Sequence, residues 1–255
     1  TAPSSRPADY DARPMNAPLA VAVIPARYAS TRFPGKPLAL LAGKPMIQHV
    51  YERVRRTAGL ARAVVATDDA RIEAAVRAFG GEVAMTGDCR TGTDRVCEAS
   101  RQLEAEVVLN VQGDEPLIEP ACLEALLRLF ADPAVEMATL KRRLEADEAA
   151  NPNVVKVVCS LAGDALYFSR SPLPFQRATP TPAFAHVGVY AYRKAFLQKV
   201  AALPSTPLES AESLEQLRVL EHGHRIRVVE TSYRSIGVDT HADLEKAEQS
   251  LAALL

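Results

Sequence analysis

The sequence lacks a membrane-spanning run, a paired-cysteine motif and a large excess of charge of either sign. No apolar run reaches the ~18 residues typical of a transmembrane helix. None of the four cysteines forms a C-x-x-C pair, so a zinc or redox site has little support. With 30 basic and 31 acidic residues, the chain has no broad basic excess of the kind typical of nucleic-acid binding. These absences favour a cytoplasmic globular protein that binds neither nucleic acid nor a membrane.

The sequence also has neither a Walker P-loop nor a G-x-G-x-x-G dinucleotide fingerprint. It has instead a proline-rich basic loop directly after an apolar run, Ala20–Ile24, in a stretch without acids. The loop carries Arg27, Arg32 and Lys36. In open parallel sheets ligands bind beyond the carboxyl ends of the strands, and arginine and lysine suit phosphate. We therefore expect the loop to bind an external anion; the alternative is a solvated basic loop.

The order of the apolar runs predicts an α/β fold. Strand-like and helix-like runs alternate over the first half of the chain, which favours a mostly parallel sheet with helices on both faces. From residue 135 to 192 strand-like runs follow one another, which predicts a small antiparallel extension. Predicted helices near residues 195–202 and 211–220 come next. A strand at Ile226–Glu230 and a final helix complete the pattern.

The expected organisation is one domain, residues 19–255, after a flexible leader, residues 1–18. The leader is rich in proline, alanine and polar residues and has no apolar core of the kind that signal peptides have. The region around residues 135–192 is predicted to be inserted into the α/β body. It includes the proline-rich segment 171–184, where we expect subunits to pair.

Two segments with carboxylates are candidates for a metal site. The sequence NVQGDEP places Asp114 and Glu115 after a buried strand, and SIGVDTHADL places Asp239 after a short predicted strand and before a helix. Because the carboxyl ends of parallel strands share one edge, Asp114 and Asp239 are expected to meet there. Mg²⁺ prefers such oxygen ligands together with substrate phosphates. The alternatives are a polar turn at Asp114 and a helix cap at Asp239.

A third pair of segments predicts a pocket beside this edge. His186, Gly188 and Tyr190 share one face of a predicted strand at period two, and Glu215 and Gln216 lie beside the apolar stripe of a predicted helix. The alternative is a set of ordinary surface side chains. Together with the basic loop and the carboxylates, this pocket favours phosphoryl or nucleotidyl transfer, in which positioning and charge neutralisation do most of the work.

Ten short motifs in order resemble the family of 3-deoxy-manno-octulosonate cytidylyltransferases, or CMP-Kdo synthetases, over about residues 21–251. They are IPARYASTRFPGKPL, GKPMIQHV, VATDD, TGTDR, NVQGDEP, NPNVVKVV, ALYFSRSPLPF, HVGVYAY, LEQLRVL and GVDTHADLE. The resemblance implies a Rossmann-like nucleotidyltransferase fold and, in most members, a homodimer. It also implies that CTP and the acidic sugar Kdo react with Mg²⁺ to give CMP-Kdo and pyrophosphate, for lipopolysaccharide biosynthesis.

The resemblance implies roles for individual residues. The nucleotide contacts would be Pro25, Ala26, Arg27, Ser30, Arg32, Lys36, Arg95 and Gln112. The sugar contacts would be Gln112, Arg170, His186, Tyr190, Glu215 and Gln216. Asp114 and Asp239 would bind the metal, and these two aspartates with Arg27 and Lys36 would be the catalytic residues.

Three other functions remain open from the sequence. The nearest is a cytidylyltransferase for a related acidic sugar, such as 8-amino-Kdo or sialic acid; the residues of the sugar pocket favour Kdo. A nucleotide-binding protein without activity is disfavoured because both aspartates and all three loop cations are present. A dinucleotide-dependent oxidoreductase is disfavoured because its glycine fingerprint is absent.

Overall fold

A computed structural model describes residues 18–29 and 33–253 of the 255-residue chain. The predicted leader, residues 1–18, therefore lies almost entirely outside the described residues. All four cysteines lie inside them and are free thiols: Cys97 and Cys122 are buried, and Cys89 and Cys159 are partly exposed. No helix in this part of the chain is long and apolar enough to cross a membrane.

The described residues form 11 strands and eight α-helices. The strands are β1 (Ala20–Pro25), β2 (Leu40–Leu41), β3 (Lys44–Pro45), β4 (Leu60–Thr67), β5 (Glu82–Met85), β6 (Val107–Asn110), β7 (Met137–Arg143), β8 (Lys156–Cys159), β9 (Ala165–Ser169), β10 (Phe184–Arg193) and β11 (Arg227–Glu230). The helices are α1 (Met46–Val54), α2 (Ala70–Ala78), α3 (Gly92–Arg101), α4 (Pro120–Leu129), α5 (Lys194–Ala202), α6 (Pro207–Glu212), α7 (Gln216–Glu221) and α8 (His241–Ala252). Two short 3-10 helices occur at Lys36–Leu38 and Ala146–Glu148.

Nine of the strands form one mixed, mostly parallel sheet in the order β11-β7-β10-β6-β1-β4-β5, with β8 paired to β10 and β9 paired to β8. Strand β1 lies in the middle, parallel to β4 on one side and to β6 on the other. The antiparallel pairs of this sheet all involve β10 or β8, which both lie in the predicted extension. The predicted α/β class and its antiparallel extension are confirmed.

Helices cover both faces of this sheet, as the sequence predicts. The alternation of side chains along β1 shows the two faces: Ala20, Ala22 and Ile24 belong to one apolar cluster, and Val21 and Val23 belong to another. The first cluster includes residues of α1, α2 and α4, and the second includes residues of α3, α5 and α7. Because both faces of β1 are buried, the strand is apolar at every position, as central parallel strands usually are.

Two predicted elements are wrong. The single helix predicted at residues 211–220 is two short helices, α6 and α7, because Ser213 between them adopts the left-handed conformation with φ 51°. The short strand predicted before Asp239 is absent from the described chain, which runs without helix or strand from Thr231 to Thr240. The backbone N–H of Val238 donates to the main-chain oxygen of Asp114 at 2.9 Å, outside any sheet ladder.

Candidate functional site

Two adjoining cavities open at the carboxyl edge of the central strands. The loop cavity, of about 490 Å³, lies against the basic loop. The β10 cavity, of about 510 Å³, lies between β10 and the junction of α6 with α7. They share part of their lining, namely Thr91, Gly92, Gln112, Glu215 and Asp239. A group transferred between molecules bound in the two cavities would therefore move only a short distance.

The wall of the loop cavity begins where β1 ends. Pro25, Ala26 and Arg27, which the sequence predicts to be nucleotide contacts, line it. The turn after β6 packs so closely here that a Cβ atom at Gly113 would lie 2.8 Å from the main-chain oxygen of Pro25. Glycine is therefore required for this approach, which brings Asp114 beside the loop.

Lys36 joins the two predicted metal ligands. Its Nζ atom donates to Asp114 Oδ2 at 2.7 Å and to Asp239 Oδ1 at 3.1 Å. The Lys36 side chain is only 14% exposed, whereas those of Asp114 and Asp239 are 32% and 47% exposed. The structure thus brings together three residues that are far apart in the sequence, and both carboxylates already contact one cationic group.

This arrangement fits Mg²⁺. No group of three or more histidine, cysteine, aspartate or glutamate side chains that could hold a metal occurs in the described chain, so an all-protein cage is not indicated there. Mg²⁺ is commonly held by one or two carboxylates, with waters and substrate phosphates as its other ligands. Asp114 and Asp239, which converge beside a cavity with basic side chains, are a donor set of this kind.

The basic loop has two described anchors. The Tyr28 ring stacks on the Arg71 guanidinium, which lies 3.3 Å from the ring centroid, and the main-chain oxygen of Tyr28 accepts from the N–H of Gly35 at 3.0 Å. Phe33 stacks on His241 at the start of α8. Among residues 18–29 and 33–253, Arg27 has no carboxylate within salt-bridge distance, so its charge is available to a ligand. The predicted contacts Ser30 and Arg32 lie outside the described residues.

Arg95 lies in the wall of the loop cavity, but its guanidinium is already engaged. It donates to Asp68 Oδ2 at 2.8 Å and to Thr86 Oγ1 at 2.5 Å, and the residue is buried. Gln112 lies where the two cavities meet, and its Nε2 atom donates to Asn110 Oδ1 at 3.0 Å. Gln112 can thus contact a ligand in either cavity, whereas the charge of Arg95 is balanced within the protein.

The β10 cavity contains the predicted strand residues His186, Gly188 and Tyr190. A hydrogen bond of 2.9 Å joins His186 Nε2 to Thr139 Oγ1, and the imidazole and Phe168 rings form a T-shaped contact. Burial lowers the pKa of His186 to about 3, so the imidazole is neutral at physiological pH. His186 can therefore hydrogen-bond a ligand but does not supply a positive charge.

The junction of α6 and α7 forms the opposite wall. Glu215 and Gln216 line the cavity as predicted, although through a helix break rather than beside a continuous helix. Burial raises the pKa of Glu215 above its ordinary value, and the nearby Thr93 offsets only part of this rise. Arg170 also lines the cavity, and its guanidinium donates to the main-chain oxygens of Glu212 at 2.7 Å and Pro152 at 2.9 Å.

Two parts of the site are missing from the sequence prediction. At the start of α3, Thr91 and Gly92 line both cavities, and Thr93 and Asp94 line the β10 cavity. Thr91 Oγ1 caps the helix by accepting from the N–H of Asp94 at 3.1 Å. The threonine of TGTD, three residues before an acid, is the signal that could have located this helix start. The second is the different placement of two adjacent acids: Asp114 lines the loop cavity, whereas Glu115 points away from both cavities and is 8% exposed.

Comparison with known proteins identifies close relatives. The family model described as "Cytidylyltransferase" matches residues 21–226. A protein named 3-deoxy-manno-octulosonate cytidylyltransferase from Anaeromyxobacter sp. (strain Fw109-5) is 57% identical over 235 residues, which are 91% of this chain and 96% of that protein. A protein of the same name from Geobacter sulfurreducens is 56% identical over 245 residues, which are 90% of this chain and 98% of that protein.

Two solved structures also resemble this chain. The structure of CMP:2-keto-3-deoxy-manno-octonic acid synthetase complexed with CTP matches with a TM-score of 0.90 and 51% identity, over 93% of this chain and all of that one. A cytidylyltransferase from Leptospira borgpetersenii matches with a TM-score of 0.63 at 16% identity, over 92% of this chain and 87% of that one. The second likeness bears on the fold alone.

Proposed function

The chain belongs to the 3-deoxy-manno-octulosonate cytidylyltransferase family, and from this premise we propose that it transfers CMP from CTP to Kdo with release of pyrophosphate. The observation that carries the proposal is the pair of adjoining cavities with Lys36, Asp114 and Asp239 beside their junction. The loop cavity suits a nucleoside triphosphate, and the β10 cavity suits a sugar with many hydroxyl groups.

The basic loop binds the triphosphate in this proposal. Arg27 lines the loop cavity without a carboxylate partner in the described chain, and Lys36 reaches the point where both aspartates meet. Charge-assisted contacts from such groups hold phosphate oxygens and stabilise the negative charge that develops as pyrophosphate leaves. A Mg²⁺ ion held by Asp114 and Asp239 would add Lewis-acid neutralisation of the phosphate charge.

The β10 cavity orients the sugar. The anomeric hydroxyl of Kdo loses its proton to solvent and attacks the α-phosphorus of CTP; the new P–O bond forms, and the bond to pyrophosphate breaks. Gln112 and Glu215 line both cavities, so they can position the attacking hydroxyl. Arg218 is paired with Glu209, whereas Arg170 donates to main-chain oxygens. The Glu212 carboxylate lies near Arg170 and accepts from its backbone N–H, but Arg170 lines the cavity, where its guanidinium can contact the sugar carboxylate. Neutral His186 and Tyr190 supply polar contacts.

Nucleotide preference tests this proposal. With Kdo and Mg²⁺ present, we expect rapid pyrophosphate release from CTP, weak release from UTP at most, and no useful turnover of ATP. The reason is the similarity to cytidylyltransferases along almost the whole chain. Pyrophosphate release measured by a coupled assay at equal nucleotide concentrations decides the question. Equal rates with ATP and CTP would contradict the proposal.

The product would serve lipopolysaccharide assembly, and we propose the cytoplasm as the site of the reaction because CTP is available there. Both statements follow from the proposed reaction and its substrates. Fractionation of cells that produce the full protein would test the location, since the activity should stay in the supernatant after membranes are removed.

We also propose that the protein is a homodimer which pairs through the region at residues 135–192. Large apolar side chains are exposed there, including Leu166 at 62% and Phe175 at 87%. We expect light scattering to give twice the monomer mass, and the Phe175→Asp variant to dissociate at higher concentrations than the native protein. The control is Leu40→Asp, at a position 64% exposed on β2. A native monomer at assay concentrations would refute the dimer.

A further inference from the structure

Glu115 follows a predicted metal ligand directly, yet its side chain lies in a different environment. Asp114 lines the loop cavity, whereas the carboxyl group of Glu115 is buried against the segment between β11 and α8. Oε2 accepts from the Tyr233 hydroxyl at 2.9 Å, and Oε1 accepts from the Ser235 hydroxyl. Both oxygens of this acid are thus bonded to the segment that leads to Asp239.

We propose that Glu115 is a positioning residue: through Tyr233 and Ser235 it fastens the segment 231–239, which we call the tether segment, and so holds Asp239 opposite Asp114. The inference rests on the proposed function, since it assumes that the two aspartates together hold Mg²⁺. It assigns to Glu115 neither contact with substrate nor ligation of the metal.

The tether segment needs such a contact because it has no regular structure of its own. No helix or strand occurs between Glu230 and His241, so no sheet or helix ladder runs along this segment. At its end, the N–H of Asp239 donates to Asp243 Oδ2 of α8 at 3.3 Å. Side-chain contacts join the segment to other elements through Arg234 with Glu145 and Thr231 with Cys122, and two described backbone hydrogen bonds add to them. The N–H of Thr231 donates to the main-chain oxygen of Lys141 at 2.8 Å, and the N–H of Val238 donates to that of Asp114 at 2.9 Å.

The contacts form a closed connection between the two aspartates. On one side, Lys36 bonds to both carboxylates. On the other side, the Glu115 side chain and the Asp114 main-chain oxygen hold three points along the tether segment: Tyr233, Ser235 and Val238. A shift of the segment would therefore move Asp239 relative to Asp114 and break these bonds together.

The use of a buried acid supports a role beyond packing. Burying an ionisable group is costly unless it is hydrogen-bonded, and the neighbouring carboxylate of Asp114 adds like-charge repulsion. An apolar residue could fill the same volume without this cost, but it could not accept two hydroxyl hydrogen bonds. Groups that contact the metal ligands, but not the metal itself, and orient them typically contribute about 10–100-fold in metal affinity or activity.

The test uses the two hydroxyl groups, because they can be removed without touching either aspartate. The variants are Tyr233→Phe, Ser235→Ala and the double variant, with Glu115→Gln as a fourth. The matched control is Tyr51→Phe, since Tyr51 is also a buried tyrosine, and its hydroxyl accepts one hydrogen bond, from the N–H of Glu82 at 3.1 Å. If Glu115→Gln fails to fold, the Tyr233→Phe and Ser235→Ala variants still test the proposal.

Three readouts on the full-length protein are needed. We expect binding of Mn²⁺ to the nucleotide-free protein, followed by electron paramagnetic resonance, to weaken by about 10-fold or more in the double variant. We expect CTP binding in the presence of a chelator to stay unchanged. Hydrogen exchange of the Val238 amide should accelerate in the hydroxyl variants and stay at the native rate in Tyr51→Phe.

Unchanged Mn²⁺ affinity in the double variant, or an equal loss in Tyr51→Phe, would overturn the inference. So would native exchange at Val238, because the segment would then be held without Glu115. These results are distinguishable from failure of the proposed function. If the native protein releases no pyrophosphate from CTP and Kdo, the proposed function fails, whereas the exchange data still report on the tether segment.

Discussion

Asp239→Asn is expected to remove nearly all turnover while the protein stays folded. Asparagine keeps the shape of the side chain but removes the charge that Lys36 contacts and that the proposed Mg²⁺ ion would need. Charge neutralisation by a metal contributes several kcal/mol to a transition state, and about 1.4 kcal/mol corresponds to a tenfold change in rate. We therefore expect a loss of about 10³-fold in turnover, measured as pyrophosphate release at saturating CTP and Kdo.

The fold should tolerate this change because Asp239 does not cap α8. The sequence left a helix cap as the alternative role of Asp239, but the N-cap of α8 is Thr240, which forms a capping box with Asp243. Thermal unfolding should therefore stay close to that of the native protein. The matched control is Asp164→Asn, which removes a carboxylate paired with Arg227 that lines neither cavity.

Asp114→Asn should behave like Asp239→Asn, and the double variant should be scarcely slower than either single variant, because groups that act as one unit are not additive. Raising the Mg²⁺ concentration should recover part of the activity of each single variant. A folded Asp239→Asn protein with normal turnover and unchanged Mg²⁺ dependence would leave the site with one carboxylate. Additive losses would show that the two aspartates act separately.

Lys36→Met is expected to lower turnover by about 10²–10³-fold, the effect of losing one preorganised contact to developing negative charge. Methionine keeps most of the length of the side chain and removes its charge. Among the described residues, Lys36 is a cation that contacts both aspartates. Under the proposed function, its loss should affect the phosphates and the proposed metal-binding pair together. Arg27→Ala should also reduce turnover, since Arg27 lines the same cavity.

Lys44→Met is the matched control for this prediction. Lys44 lies in the same acid-free stretch of sequence, but its side chain is 49% exposed and pairs with Glu52 at 3.0 Å. We expect near-native turnover for this variant, because an exposed ion pair contributes little. If Lys36→Met also turned over normally at saturating CTP, the loop would be a solvated surface rather than part of the catalytic machinery.

The sequence predicted the sheet well where the apolar pattern was strong. Strand β1 is apolar along its length and is followed by a basic loop, and both features point to a central strand with a ligand site at its carboxyl end. The sequence also predicted that Asp114 and Asp239 meet, on the ground that each follows a strand, and this ground holds only for Asp114. Asp114 follows strand β6, whereas Asp239 arrives on an irregular segment held by contacts with residues 114 and 115.

Other features could not be read from the sequence because they depend on local backbone geometry or on distant partners. Periodicity predicted one helix where the left-handed Ser213 divides α6 from α7. The sequence predicts that Arg95 contacts the nucleotide, but in the fold its guanidinium already donates to the Asp68 carboxylate. The adjacent acids Asp114 and Glu115 have the same chemistry in sequence, and only the fold shows that one faces the cavity and the other faces Tyr233 and Ser235.

The most direct test of the central claim is pyrophosphate release by the native protein from CTP and Mg²⁺, measured with Kdo, without a sugar, and with 8-amino-Kdo or sialic acid in its place. We predict rapid release with Kdo, little release without it, and CMP-Kdo as the product by mass spectrometry. Release that is independent of Kdo, or that is faster with another acidic sugar, would contradict the assignment of Kdo as the sugar that this protein activates.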